Sequence, residues 1–203
     1  MEMSLSSKAR GQYGFSLIEM MVAIAVLSVG LMSMAALMAR MISTTSRSGY
    51  MSIAMQLASE KLEDLNRYPY NDPNVVVPTG TTAGSLTSDS INPVVTSDGE
   101  TTSVNYYDEV RFSGASGTVT QIRSRVSGGS TVYDTIAHQP DGSIVTQSNL
   151  ASLPSGTGSM RFRRRWVIER DQPTVGVRRV TVQVTMLYPT ITPVNAQMSM
   201  VRP

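Results

Sequence analysis

The carboxylate with the clearest chemical potential lies inside the most apolar part of the chain. Glu19 is the only charged residue in the apolar run Phe15–Ala39. A charged side chain in a bilayer costs about 2.5 kcal/mol or more, so a carboxylate retained there usually has a functional role. We therefore expect Glu19 to pair with a cation. Where that cation comes from depends on how the chain is processed at its start.

The other reactive residue types give little support for an enzyme. The chain has no cysteine, which excludes a disulfide framework, a thiol nucleophile and thiolate zinc sites. The single histidine, His138, comes just before the turn sequence 139–142, so we expect it on the surface rather than in a Ser-His-Asp arrangement. Asp89, Asp98 and Glu100 lack the compact spacing of an EF-hand loop. We predict no catalytic residue, no cofactor and no metal site.

The densest charge cluster, 161–165, is basic and lies in a strand pattern. Its odd-numbered arginines alternate as on the exposed face of a strand, whereas Arg164 shares the face of Trp166. Such a cluster could contact DNA or an acidic protein, but the formal net charge of +2 gives no global attraction for nucleic acid. We interpret the cluster as a solvated strand face balanced by acids close in sequence, Glu169 and Asp171.

The element that positions Glu19 is a long helix. Phe15–Ala39 contains no proline and would rise about 37 Å as a helix, enough to cross a hydrocarbon core of roughly 30 Å. Across 40–69, apolar residues recur every three or four positions with charged residues between them. This pattern predicts an amphipathic continuation that ends at Pro69, with the Ser/Thr cluster 43–48 as its weakest part.

The start of the chain resembles a known processing signal. The sequence Gly14-Phe15-Ser16-Leu17-Ile18-Glu19 follows a short polar arm and precedes the apolar run, as in the class III signal of type IV pilins and pseudopilins. The resemblance implies that residues 1–14 are a leader peptide and that a prepilin peptidase cuts after Gly14. It also implies that the same enzyme N-methylates Phe15 and that Glu19 is the acid used in subunit assembly.

This resemblance gives the Glu19 carboxylate a physical role. A mature chain that begins at Phe15 has a charged amine, and both the amine and the carboxylate are costly in lipid. Pairing Glu19 of one subunit with the amine of its neighbour would relieve both costs and favour lateral assembly. The competing interpretation places Glu19 among the lipid headgroups, with no role in assembly.

The rest of the chain predicts a connection followed by a sheet. The Ser/Thr/Gly/Pro-rich segment 70–103 is expected to link the helix to an antiparallel β-sheet head over 104–203. Strand patterns occupy 103–112, 118–126, 131–137, 143–147, 159–170 and 175–187. We predict an α+β, type IV pilin fold, in which a long N-terminal helix spans the membrane with its first half, 15–39, and packs on the sheet with its continuation, 40–69.

A second resemblance concerns the last predicted hairpin. Trp166 and the run Val175–Val182 resemble the closing hairpin of PilV-type minor pilins and I-type pseudopilins. Together the two resemblances imply a PilV-like minor pilin of a type IV pilus, incorporated in the complex that initiates the filament and lies near its tip. The protein would lie in the inner membrane with a cytoplasmic N-terminus and a periplasmic head, and afterwards in the cell-surface pilus.

The same resemblance implies a set of partners and leaves alternatives. Expected partners are the prepilin peptidase/N-methyltransferase, other minor and major pilins, inner-membrane lipid and a tip adhesin, with adhesion or twitching motility as the cellular outcome; nucleic acid is not expected. A minor (I-type) pseudopilin of a type II secretion system has the same signal. A secretory signal cut after Ala35 would instead give a soluble periplasmic protein that starts at Ala36.

Overall fold

A single long helix opens the part of the chain that the computed structural model describes, which is residues 16–77, 82–95, 101–114, 116–127, 129–153, 160–187 and 193–203. This helix, α1, runs Leu17–Arg67. Its hydrogen bonding continues through the Ser/Thr cluster, where the Thr44 and Thr45 hydroxyls each donate to a carbonyl four residues earlier at 2.9 Å. The predicted long helix is therefore present, with Pro69 just beyond its end.

The chain divides into two units, Met1–Ser46 and Arg47–Pro203. We call the second the globular unit. Its described residues form ten strands: β1 Thr82–Gly84, β2 Ile91–Val95, β3 Thr101–Asn105, β4 Tyr107–Phe112, β5 Val119–Ser127, β6 Ser130–His138, β7 Ile144–Leu150, β8 Met160–Arg170, β9 Arg178–Met186 and β10 Asn195–Arg202.

All strand pairings in the globular unit are antiparallel. The main sheet has the order β10-β9-β8-β4-β5-β6-β7, and β1 also pairs with β8. Strands β2 and β3 form a separate two-stranded sheet. Strand β8 is thus central, because it pairs with β9 on one side and with β4 and β1 on the other. This position decides which side chains meet the arginines of β8.

The core lies between the second half of α1 and the middle of the sheet. Ala54, Ala58, Leu62 and Leu65 are buried on α1. They pack in one apolar cluster with side chains from β8 and β9: Phe162, Trp166, Ile168, Val180, Val182 and Val184. The alternation seen in the sequence of both strands identified these faces correctly. The predicted α+β fold, a long helix packed on an antiparallel sheet, is confirmed.

The strand prediction over 103–112 was wrong in one respect. It gave one strand, whereas the structure has β3 and β4 in different sheets with Tyr106 between them. The backbone N–H of Tyr106 donates to the Ser90 carbonyl at 2.9 Å, and its carbonyl accepts from the Trp166 N–H at 3.0 Å. Because Tyr106 is fully buried and bonded to two other segments, the chain changes sheet at this residue.

Three further differences concern strands at the margins. Strands β1 and β2 lie within the segment 70–103, for which the sequence predicted only a connection, and β10 was not predicted at all. Strand β9 begins at Arg178 rather than 175 because 171–177 closes a turn, in which the Asp171 N–H donates to the Val177 carbonyl at 2.8 Å. Short strands and turns of this kind depend on neighbours that a local pattern does not contain.

Candidate functional site

The predicted site residues cluster at the beginning of α1. Gly14 and Phe15, the predicted cleavage and methylation positions, lie outside the described residues. Glu19 lies in the first turn of the helix and is exposed. Its backbone N–H donates to the Ser16 hydroxyl at 3.2 Å and to the Ser16 carbonyl at 3.1 Å. Within the described part of the chain its carboxylate has no ion-pair partner.

Ser16 is a functional residue that the sequence analysis missed. Ser-x-x-Glu, here Ser16 to Glu19, is the capping-box pattern, and the Ser16 hydroxyl makes the N-cap hydrogen bond of that motif. The cap fixes the helix start one residue after the proposed mature end, Phe15. It also places Glu19 near the positive end of the helix dipole, where an ionised carboxylate is stabilised.

The first part of α1 exposes an apolar surface on all sides. Every large apolar side chain from Leu17 to Ile42 is between 56% and 80% exposed. A helix that is apolar all round belongs in a core or in lipid. By length and composition α1 is able to cross a membrane, with a mean hydropathy of 2.3 in its most apolar window, although a signal sequence satisfies the same criterion.

Polar side chains in this apolar segment are satisfied within the helix. The Ser28 hydroxyl donates to the Ile24 carbonyl at 2.7 Å, and the Ser33 hydroxyl donates to the Val29 carbonyl at 2.9 Å. An unsatisfied polar group in hydrocarbon costs several kcal/mol, so these local hydrogen bonds make the serines compatible with lipid. Glu19 is the only charged residue between Leu17 and Ala39.

A second group of charges lies buried in the globular unit. The Asp108 carboxylate accepts two hydrogen bonds from Arg164, at 2.7 and 2.8 Å, one from Gln121 at 3.0 Å and one from Lys61 at 3.2 Å. All four residues are at most 9% exposed. We call Lys61, Asp108, Gln121 and Arg164 the buried charge cluster. It joins α1 to β4, β5 and β8 across the core.

Burial and charge shift the ionisation of this cluster. Burial acts to raise the pKa of Asp108, but the charges of Lys61 and Arg164 outweigh it and hold that pKa well below its usual range. Burial lowers the pKa of Lys61 to about 8, even though the Asp108 charge opposes this shift. The folded state therefore favours the ionised form of Asp108.

Arg164, which the strand pattern placed on the face of Trp166 and apart from the solvated arginines, is 0% exposed. Arg164 lies opposite Asp108 in the β4–β8 register, so strand pairing supplies its counter-charge. Removing one member of such a buried pair costs about 3–5 kcal/mol, since the other charge stays in the core. The signal in the sequence was the break in alternation, but the partner is 56 residues away.

The acids expected to balance the other β8 arginines, Glu169 and Asp171, were wrong. Glu109 on β4 accepts from Arg161 at 2.8 Å and from Arg163 at 3.2 Å. Asp89, in the loop between β1 and β2, accepts from Arg163 and, at 2.8 Å, from Arg165. Glu169, which was expected to balance them, pairs instead with Arg179 at 2.7 Å.

The other expected partner, Asp171, lies 3.6 Å from Arg170 and so does not balance the cluster either. The reason is the central position of β8, whose arginines face acids from neighbouring segments rather than acids close in sequence. Among the described residues, no group of three or more His, Cys, Asp or Glu is arranged to hold a metal ion.

Comparison with known proteins bears on the start of the chain. Residues 9–35 match the family described as the prokaryotic N-terminal methylation motif. No curated protein and no solved structure matches the chain. The match supports a pilin- or pseudopilin-type protein.

Proteins with this motif are structural proteins rather than enzymes. The motif implies processing by a prepilin peptidase and assembly with pilin-type partners. The apolar helix that follows it is consistent with membrane anchoring. The match includes Gly14, Phe15 and Glu19, and it ends at residue 35, before the globular unit begins.

Proposed function

We propose that this protein is a PilV-like minor pilin of a type IV pilus. A prepilin peptidase would cut it after Gly14 and N-methylate Phe15, and the mature chain would enter the complex that initiates the pilus and lies at its tip. The observation that carries this proposal is the methylation motif at 9–35, followed directly by a helix whose apolar surface is exposed on every side from Leu17 to Ile42.

In this proposal Glu19 has the role of an assembly residue. Its carboxylate lies in apolar surroundings, and no cation among the described residues pairs with it. The amine of a mature neighbour that starts at Phe15 would supply the missing cation. Since Phe15 and Glu19 are four residues apart, or about 6 Å along a helix, the two groups meet when neighbouring helices are displaced by roughly one turn.

The proposed location follows from the apolar segment and the chain lengths on each side. Lys8 and Arg10 precede the segment and Arg40 and Arg47 follow it, so the basic residues nearly balance. The short N-terminal arm is the easier end to keep in the cytoplasm, which places the globular unit in the periplasm. After assembly the protein would lie in the cell-surface pilus among other minor and major pilins, with a tip adhesin as a further partner.

The decisive experiment is to determine the mature N-terminus of protein isolated from membranes, by Edman sequencing and intact mass. The proposal expects a start at N-methylated Phe15. A start at Ala36 would identify an exported soluble protein and would overturn the proposal. A chain that retains residues 1–14 in a strain with active prepilin peptidase would also overturn it.

A second candidate is a minor, I-type pseudopilin of a type II secretion system. The same motif favours it equally, and it predicts the same mature N-terminus. Deleting the gene separates the two, because loss of a minor pilin reduces surface pili, whereas loss of a pseudopilin leaves secreted proteins in the periplasm. Full complementation by the wild-type gene, scored by pilus counts and by secreted protein, is the control.

A further inference from the structure

A cleft of about 210 Å³, lined by both polar and apolar side chains, lies beside the buried charge cluster in the globular unit. Lys61 of α1, Trp166 of β8 and side chains from β3, β5 and β6 line it. This volume is below the 300–1,000 Å³ typical of drug-sized ligand pockets and suits a group the size of one side chain. The character of the cleft is set by the charges that face it.

The basic residues in the cleft outnumber the acids available to them. Lys61, Arg123 and Arg125 line it, and Asp134 is the one acidic residue among its lining residues. Asp134 is already used, because it accepts from Arg125 at 2.8 Å and from the Asn149 N–H at 3.0 Å. Arg123 is exposed and has no ion-pair partner among the described residues.

Lys61 also has bonding capacity to spare. Its ammonium carries three donors, of which one is directed at Asp108 at 3.2 Å. The same Asp108 also pairs with Arg164, whose other acidic partner, Glu60, lies further away at 3.9 Å. Both Arg164 and Arg123 repel the Lys61 charge. An anion in the cleft would therefore be attracted by Lys61 and Arg123 together.

The wall beside Lys61 is formed by the only tryptophan of the chain. The Lys61 ammonium lies 4.0 Å from the centroid of the Trp166 ring. The indole N–H is buried and has no acceptor among the described residues. A buried donor without an acceptor is uncommon in native proteins. The Trp166 ring contributes its face to the lining of the cleft, next to the Lys61 ammonium.

We infer that this cleft binds a carboxylate group, held by Arg123 and Lys61 against the indole of Trp166. The carboxylate could come from an acidic side chain of a partner protein or from a free carboxylate compound, since both present the same planar pair of oxygens. Arginine suits such a ligand because its guanidinium can donate two parallel hydrogen bonds to it. This inference is independent of the proposed function of α1.

The test uses the indole N–H of Trp166 as a single reporter in ¹⁵N-labelled full-length protein in detergent micelles. Sodium succinate is titrated against sodium chloride of equal ionic strength. We expect a saturable shift of the indole resonance with succinate alone. The Arg123→Gln variant should raise the apparent Kd for succinate about tenfold, as expected for the loss of a charge-assisted hydrogen bond.

The matched control is Arg67→Gln, which removes an exposed arginine outside the cleft and should leave the Kd unchanged. The inference is overturned if succinate and chloride give equal shifts, or if Arg123→Gln binds succinate as tightly as the wild type. A blocked hexapeptide containing Glu, compared with the same peptide containing Gln, then assigns the source of the ligand. Tighter binding of the Glu peptide than of succinate supports a protein side chain, and weaker binding supports a free carboxylate.

Discussion

Replacing Asp108 by Asn should destabilise the globular unit strongly. Asp108 is 1% exposed and accepts hydrogen bonds from Lys61, Gln121 and Arg164. Asn keeps one acceptor oxygen but has no charge. Lys61, whose side chain is 5% exposed, would then remain in the core without its counter-charge, and the fully buried Arg164 would keep only the Glu60 carboxylate at 3.9 Å.

The size of the effect follows from this burial. Removing one partner of a buried ion pair costs about 3–5 kcal/mol, a large part of the 5–15 kcal/mol that stabilises a typical domain. The matched control is Glu169→Gln, which also exchanges a carboxylate for an amide. Its ion pair with Arg179 is exposed, with side chains 26% and 41% accessible, so its loss should cost about 0–1 kcal/mol.

The assay is urea unfolding of the full-length chain in detergent, followed by tryptophan fluorescence. Trp166 is the only tryptophan and is 5% exposed, so its emission reports the opening of the core. With a slope of about 2 kcal/mol per M, a loss of about 3–5 kcal/mol lowers the midpoint by roughly 1.5–2.5 M. The slope itself should stay the same if the unfolded state is unchanged.

A second substitution tests whether the buried charge is the cause. In the Asp108→Asn background, Lys61→Met removes the buried cation that has lost its counter-charge. The double variant should therefore lose less stability than the sum of the two single variants, a coupling that a double-mutant cycle measures. A midpoint for Asp108→Asn equal to that of Glu169→Gln would refute the reasoning, as would strict additivity with Lys61→Met.

The remaining predictions concern pH, backbone and processing. The pKa values of Asp108 and Glu109 are lowered in the folded state, so below about pH 4 the unfolded chain binds more protons than the folded protein does. The urea midpoint of the wild type should therefore fall as the pH drops from 5 to 3. It should fall less in the Asp108→Asn variant, which lacks one of these two carboxylates. Gly84→Ala should cost about 2–3 kcal/mol in the same assay, because φ is +86° and a Cβ would lie 2.3 Å from the Trp166 carbonyl oxygen. A stability equal to the wild type would contradict that geometry. Glu19→Ala should leave cleavage after Gly14 intact but reduce incorporation into filaments, measured by N-terminal sequencing and by immunoblots of sheared pili; normal incorporation would remove the amine-pairing argument. Gly14→Glu should leave the leader attached by intact mass, and efficient cutting would place the cleavage site elsewhere.

The regular elements of the fold could be predicted because their causes are local. An apolar run followed by Pro69 defined α1, and the alternation of Val180, Val182 and Val184 defined the buried face of β9. The division at Tyr106 could not be predicted, because the alternation continues through it. Tyr106 is bonded through its N–H to Ser90 and through its carbonyl to Trp166, a residue 60 positions later in the sequence.

The buried charge cluster shows the same limit for a functional feature. The sequence showed that Arg164 lies on the apolar face of its strand, but not which acid meets it there. That choice is made by the β4–β8 register, which places Asp108 opposite Arg164. Without the register, the sequence gives no counter-charge for an arginine on that face. With it, the same residue becomes the fully buried partner of a carboxylate.

Asp108 and Glu19 present one physical problem with two different answers. Each is a carboxylate in apolar surroundings, and each is costly there without a cation. Asp108 obtains two cations, Lys61 and Arg164, from its own chain, and the globular unit holds all three in place. Glu19 has no cation among the described residues, whereas the hydroxyls of Ser28 and Ser33 in the same apolar segment donate hydrogen bonds to carbonyls within the helix. A charge left unbalanced in an otherwise satisfied segment agrees with the proposed function, in which the amine of a second subunit that starts at Phe15 is the missing cation.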